Sequence, residues 1–428
     1  MAEHPLITAV RGGHEDTVRL LLDDGADPNT TDEHGIPALC LAITAFHSSI
    51  ASYLMASGAD PDCPLPDGTT PRLRAVDSGS IALASSLLGD PALVTEPVRA
   101  ALLVRARQWH KTGPIAMLRE RTASTDPVER LRVRDAPWST EYDEIRLGGE
   151  AVRDGQAGTL TYLEECFGLH LQIVELADRA CALEYPDREH ASWYQITNTL
   201  AERQDDETWE AAAALRTHPD PLHRRFGLEV LISLNLTSPL SHHPGPFEKR
   251  TLDFLIDRVA KEQHPDVLAE ILAGLAHHDD PRIEPLGITY TAHPAPQVRA
   301  QVPSTLKHLS SLSSGRWTHT PSGLDAMLTL ARDPDPAIRK LIAYQLAESS
   351  DSAHLVGDVL AELLGDEDQV TRIWAAYGLA ERDDPRCVDG ARRVGQVAEY
   401  DAWSWILRAP SRYQERRRKQ PETPVTPE

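Results

Sequence analysis

An all-α fold, an elongated solenoid of stacked helical repeats, is what three features of this sequence predict. Gly-Ala-Asp-Pro stands at 25–28 and again at 58–61, 33 residues on. Self-similarity at that period marks units of two short helices that bury their apolar faces only by stacking on neighbours. Hydrophobic residues make up 41% of the chain but aromatics only 5%, so the core is mostly Ala, Leu, Val and Ile, which suit closely packed helix pairs. In the second half, turns such as His293-Pro-Ala-Pro and Asp333-Pro-Asp-Pro precede amphipathic runs. They place proline at the first helical position, where its missing N–H costs nothing.

Residues 4–88 align as three copies, opening on His-Pro-Leu-Ile-Thr-Ala (4–9), Pro-Ala-Leu-Cys-Leu-Ala (37–42) and Thr-Pro-Arg-Leu-Arg-Ala (70–75), with Ala9, Ala42 and Ala75 in register. A second apolar run follows each, at 18–22, 50–55 and 81–88. Thr70-Pro71 supplies a cap and a first-turn proline, and Gly25 and Gly58 end the second helices where a left-handed residue is needed. These segments resemble the ankyrin repeat. The copies depart from that pattern at Arg72, where the family places a core Leu, and at Phe46, where it has glycine. A bulky residue at positive φ costs about 1 kcal/mol or more, so the turn at Phe46 is expected to be reshaped. The resemblance implies protein binding through hairpin tips and the exposed side of each first helix. Carried onto this sequence, those positions are Arg11 in the first copy, Glu33, His34, Ile36 and Thr44 in the second, and Pro66, Asp67, Thr69 and Asp77 in the third.

From 91 to 216 the pattern is helical without a fixed repeat, and helices are expected near 95–109, 127–134, 143–154, 157–167, 171–183, 190–203 and 207–216. Asp126-Pro127-Val128-Glu129 has the form of a helix start. Gly148-Gly149 has the wrong spacing for a dinucleotide loop and is taken as a turn between helices.

Beyond 216, the apolar residues Leu222, Val267, Val298, Ile338 and Val370 follow similar turns, spaced by 45, 31, 40 and 32 residues. Paired helices around an apolar-Arg dipeptide, as at Arg299 and Arg339, resemble HEAT-type or lyase-type repeats; His223 and Thr371 stand where arginine is expected, with Arg224 and Arg372 one residue later. Such arginines either line a polyanion groove or form a ladder between repeats, and the ladder is favoured because each guanidinium can meet an acid or carbonyl of its neighbour. The domain division is then 1–90 ankyrin-like, 91–216 helical connector, 217–409 HEAT-like and 410–428 a disordered tail carrying Arg416-Arg-Arg-Lys419, with Pro410 closing the last helix.

The charge of −22 disfavours nucleic acid as a partner. No stretch approaches eighteen uninterrupted apolar residues and no basic leader precedes an apolar run. Five cysteines without a Cys-x-x-Cys pair fit reduced thiols in a cytoplasmic protein. Nucleophile-elbow, Walker and His-Glu-x-x-His sequences are missing. His242-His243 and His277-His278-Asp279-Asp280 lack the companion ligands of a metal site, and no cofactor is expected. Trp403 and Trp405 are expected to cap the last core. The function that follows is an adaptor or scaffold without catalysis, binding another protein. Alternatives are an immunity-type inhibitor of a toxin or effector, and a helical-repeat enzyme similar to DNA glycosylases or bilin lyases.

Overall fold

The computed structural model describes residues 3–134, 139–236, 245–306, 308–309, 317–351, 354–397 and 400–419. His242-His243, most of the loop expected at 237–246, the loop at 310–316 and the tail beyond Lys419 lie outside the described residues. The chain divides into two compact units, Met1–Gly245 and Pro246–Glu428, and is mostly helical.

The first unit opens with three helix pairs: α1 (Pro5–Arg11) with α2 (Glu15–Asp23), α3 (Ala38–Thr44) with α4 (Ser48–Ala56), and α5 (Pro71–Asp77) with α6 (Ile81–Leu88). First helices stack in one row and second helices in another, sharing a core that includes Leu6, Leu39, Ile50, Leu54, Leu83 and Leu87. Sequence sets the helix ends. The Thr70 hydroxyl accepts the N–H of Leu73, while Gly25 (φ 91°) and Gly58 (φ 95°) take the left-handed conformation that stops the second helices. The turn at Phe46 is not reshaped, contrary to expectation. Phe46 takes φ 56°, matching Gly13 (67°) and Gly79 (68°) at the equivalent positions. Its ring compensates by receiving the Arg153 guanidinium 4.3 Å from the centroid.

Helices α7 (Glu96–Thr112) and α9 (Gln156–Cys166) continue the two rows. α7 packs on α5, α9 packs on α6, and they pack on each other, so they make a fourth pair on the same plan. Between them are inserted α8 (Pro114–Thr122) and an antiparallel sheet of β1 (Glu129–Arg134), β2 (Glu141–Leu147) and β3 (Glu150–Arg153), in that spatial order. The sheet replaces the helices expected near 127–134 and 143–154. Arginine at 130, 132 and 134 alternates with Leu131 and Val133, a period of two that fits a strand. Leu147 pairs with Glu150 across Gly148 (φ 60°) and Gly149 (φ 82°), a two-residue hairpin loop whose two positive φ values favour glycine. One face of the sheet sets Ile145, Leu147 and Val152 against Trp109, Met117 and Leu118. α10 (Ile173–Cys181), α11 (Ala191–Glu202), α12 (Asp206–Ala214) and α13 (Pro221–Leu236) complete the unit close to the remaining expected helices, with Asp205 capping α12 through the N–H of Thr208.

The second unit comprises α14 (Glu248–Val259), α15 (Pro265–Leu275), α16 (Ile283–Thr289), α17 (Pro296–Arg299), α18 (Val302–Thr305), α19 (Pro321–Leu330), α20 (Pro336–Glu348), α21 (His354–Leu363), α22 (Gln369–Glu381), α23 (Cys387–Val394), α24 (Tyr400–Leu407) and α25 (Ala409–Lys419), with a two-residue ladder of β4 (His308–Leu309) and β5 (Trp317–Thr318). Its arginines form the expected ladder. Arg299 donates from Nη1 to the carbonyls of His293 and Pro294, and from Nε and Nη2 to Asp333 at 2.7 and 2.8 Å. Arg339 repeats this with the carbonyls of Asp333 and Pro334 and the Asp366 carboxylate. Arg372 bonds the carbonyls of Asp366 and Glu367, and in the first unit Arg224 bonds those of His218 and Pro219. The acceptors always lie six and five residues before the arginine. The register is therefore set by the arginine, and taking Leu222 and Val370 as equivalent to Val298 and Ile338 slips those copies by one residue.

The helix before Pro410 does end at Leu407, as expected, but Pro410 does not end the chain's structure. It lies in the first turn of α25, where proline is tolerated, and this helix buries Tyr413 and bonds Arg416 to the Ala380 carbonyl and Asp383. The part of the expected tail from 410 to 419 is thus helix.

Candidate protein-recognition surface

The hairpin tips are shaped by their own side chains. Gly35 (φ 75°) and Gly68 (φ 77°) turn the two tips at equivalent positions. Asp32 accepts the N–H groups of His34 and Ile36, both at 2.9 Å, and Arg11 Nη2 at 2.5 Å. The Ile36 N–H does most to hold its carboxyl below the usual range. In the next unit Asp67 accepts the hydroxyl of Thr69 at 2.6 Å, its N–H at 3.0 Å, and Arg74 Nη2 at 3.0 Å. These bonds, the hydroxyl foremost, pull Asp67 down to about 2.

Of the positions implied by the family pattern, Arg11, Glu33, His34, Thr44, Pro66 and Asp67 are exposed, and Ile36 and Thr69 are half-buried. Arg11 bridges Glu3 and Asp32, tying α1 to the first hairpin. Asp77 is a correction. It is 5% exposed, because α7 covers this end of α5: Arg105 grips both its carboxylate oxygens at 2.5 and 2.7 Å, and Trp109 Nε1 donates to it at 2.6 Å. Asp77 therefore joins the third repeat to the fourth pair and is withdrawn from the recognition surface.

Arg72, the other departure from the family pattern, is buried as a cap. It holds Asp62 by two 2.9 Å bonds and donates from Nη1 to the carbonyls of Leu87 and Leu88. Those carbonyls end α6, where no further helical turn supplies N–H groups to donate to them.

Residue-by-residue carry-over missed the cleft between Phe46 and the sheet. It measures about 670 Å³ and is lined by Thr44, Phe46, Glu129, Glu144, Arg146 and Glu150 among others. The signal that could have found it was the period-two run leading to Gly148-Gly149. In the second unit Trp374 stands among Tyr344, Tyr377, Trp403 and Trp405 at ring separations of 4.7 to 6.3 Å. Trp403 is half-buried, but Trp405 remains 50% exposed, so only one of the two caps a core.

Among the described residues no group of three or more His, Cys, Asp or Glu side chains could hold a metal ion, and no helix is long and apolar enough to cross a membrane. His278 faces Glu248, and Asp280 binds Arg282.

Residues 6–95 match the family model for ankyrin repeats in three copies. The Danio rerio protein named as palmitoyltransferase ZDHHC13 is 42% identical over 71 residues, 17% of this chain and 11% of its own. The Ankyrin repeat and KH domain-containing protein mask-1 of Caenorhabditis elegans is 36% identical over 84 residues, 19% of this chain and 3% of its own. The chain thus spans about a tenth or less of the curated relatives it matches. An X-ray structure of YIBA_ECOLI aligns at 13% identity with a TM-score of 0.38, over 59% of this chain and 98% of its own; a likeness that distant carries no argument. The N-terminal segment consists of three ankyrin repeats, a protein–protein interaction module.

Proposed function

We propose that the protein is a cytoplasmic adaptor or scaffold without catalytic activity, and that its ankyrin repeats capture a partner protein. The observation that carries this reading is the placement of Glu33, His34, Thr44, Pro66 and Asp67. All are exposed on the hairpin tips and first helices, and the tips are held in shape by the Asp32 and Asp67 bonds, so little ordering cost is added on binding. Residues 1–90 hold thirteen acidic and four basic side chains, which favours a partner segment rich in Lys and Arg. In this reading the helix pairs from 217 to 409 are a HEAT-like array that presents or couples the recognition arm.

Charge reversal at Glu33 and Asp67 to Lys tests the proposal, with affinity capture and mass spectrometry on the wild type and the double variant. Loss of a stoichiometric partner in Glu33→Lys alone at an unchanged melting temperature, as well as in the double variant, where Asp67→Lys also breaks the Thr69 and Arg74 bonds, supports it. Retention of that partner in the double variant, together with its loss on charge reversal in the C-terminal array, moves the site there. A single linked toxin that loses activity when bound favours the inhibitor reading instead.

A further inference from the structure

The sheet inserted between α7 and α9 has one edge that no other described element of the chain pairs with. β3 is covered on its outer side where the Arg153 N–H donates to the Ser78 carbonyl at 2.7 Å. Among the described residues β1 pairs only with β2. Among the described residues, no backbone–backbone hydrogen bond links residues 129–133 to anything outside the sheet. Glu129 through Arg132 are exposed, Leu131 by 44%. Every second residue of such a strand directs its N–H and C=O outward, where they template the pairing of another strand. Proline and glycine, which would spoil that template, are missing from 129–134.

The pattern along the strand says what the incoming segment must carry. Arg130, Arg132 and Arg134 pair in register with Ile145, Asp143 and Glu141 and so share one face, while Leu131 and Val133 share the other. On the β2 side and from the segment after α10, the guanidiniums meet Glu184, Asp143, Glu141 and Glu189. Their side chains nevertheless remain 34 to 39% exposed. Half-exposed pairs of this kind hold weakly, and the planar guanidiniums of Arg130 and Arg132 present further N–H donors to a second carboxylate on the open side.

We propose that β1 is a docking strand for an extended segment of a partner protein in which acidic residues alternate with apolar ones. Carboxylates of that segment lie opposite Arg130, Arg132 and Arg134, and its apolar side chains cover Leu131. A second copy of this chain is the wrong occupant. Antiparallel pairing of two β1 strands by a twofold axis normal to the sheet sets arginine against arginine, and like charges directly opposite are destabilising.

Hydrogen exchange of the full chain read by mass spectrometry tests this, with the synthetic peptide acetyl-Glu-Val-Glu-Ile-Glu-Val-Glu-amide as probe. The proposal expects saturable binding that slows exchange at 129–134, about tenfold weaker binding when lysine replaces each glutamate, and loss of binding when alternate peptide nitrogens are methylated. Arg130→Glu should weaken the peptide about tenfold at an unchanged melting temperature, since among the described residues Arg130 bonds only the exposed Glu184. Absence of binding, equal binding of the lysine peptide, or protection confined to other segments overturns the proposal. So does concentration-dependent self-association that protects the same amides without peptide.

Discussion

Arg299 and Asp333, 34 residues apart in sequence, are joined by two hydrogen bonds of 2.7 and 2.8 Å, with their side chains 11% and 4% exposed. Burial alone would push the Asp333 carboxyl up; the Arg299 bonds and the Asp335 N–H outweigh it and leave Asp333 below its ordinary range. The pair thus links the turn of one helix pair to the start of the next. Removing the acid while keeping the arginine leaves a buried charge without its partner, a loss of about 3 kcal/mol or more. Asp333→Ala should lower the urea midpoint markedly. Arg299→Met with Asp333→Ala should recover part of the loss, and a double-mutant cycle measures the coupling.

Arg72 is a cap that happens to sit at a core position. Arg72→Leu restores the residue that the repeat pattern favours, yet it strips the Leu87 and Leu88 carbonyls of their donor. Asp62 is 40% exposed at its side chain and can turn to water, so the cost should be moderate, about 1–3 kcal/mol. Thermal melting should show destabilisation; a higher melting temperature would mean that the extra apolar packing dominates.

The hairpin at Gly148-Gly149 should tolerate little. At Gly148 the backbone is left-handed, and an added Cβ would come within 2.7 Å of the Thr122 Cβ. Gly148→Ala should cost at least about 1 kcal/mol in chemical denaturation. Gly149→Asn, at open space, should be nearly neutral because asparagine accepts positive φ.

Acid should loosen the third-repeat hairpin only at low pH. A carboxyl whose folded pKa is lowered gives stability that is complete above the unfolded value of about 3.9. That stability is lost as pH falls through the folded value, here about 2 for Asp67. The Asp67 carboxyl carbon should accordingly titrate near that value by NMR. Asp67→Asn should flatten the dependence of melting temperature on pH below about 4.

The thiols behave in the opposite sense. Burial pushes Cys40 and Cys387 up to about 11, and both are fully buried, so at pH 8 they should resist iodoacetamide in the folded chain and react on unfolding.

What could be read in the sequence was whatever repeats at a fixed distance. Gly25 and Gly58 announce the repeat because a left-handed helix end must recur with it. The arginine ladder was visible too, but one residue out of register in two copies, because Leu222 and Val370 were aligned as apolar residues while the bonds that fix the turn belong to Arg224 and Arg372. The sheet was missed for a physical reason: short alternating runs with many arginines carry little hydrophobic periodicity, and the glycine pair that closes the hairpin looks like any turn. The fate of Asp77 depends on Arg105 and Trp109, about thirty residues later in a helix whose stacking no local pattern reveals.

The way α7 and α9 cover the third repeat also governs how this chain can grow. Repeat arrays lengthen by duplicating a unit and inserting it in frame, which requires the face on either side of the new unit to accept the standard partner. The C-terminal face of the third repeat no longer does: it is fitted to Arg105, Trp109 and the split fourth pair. A copy inserted after Gly89 would strand Asp77 and Arg105 on surfaces that no longer meet. Duplication is therefore open only upstream of α5, and the number of repeats adjoining the sheet is locked even where the tips remain free to vary.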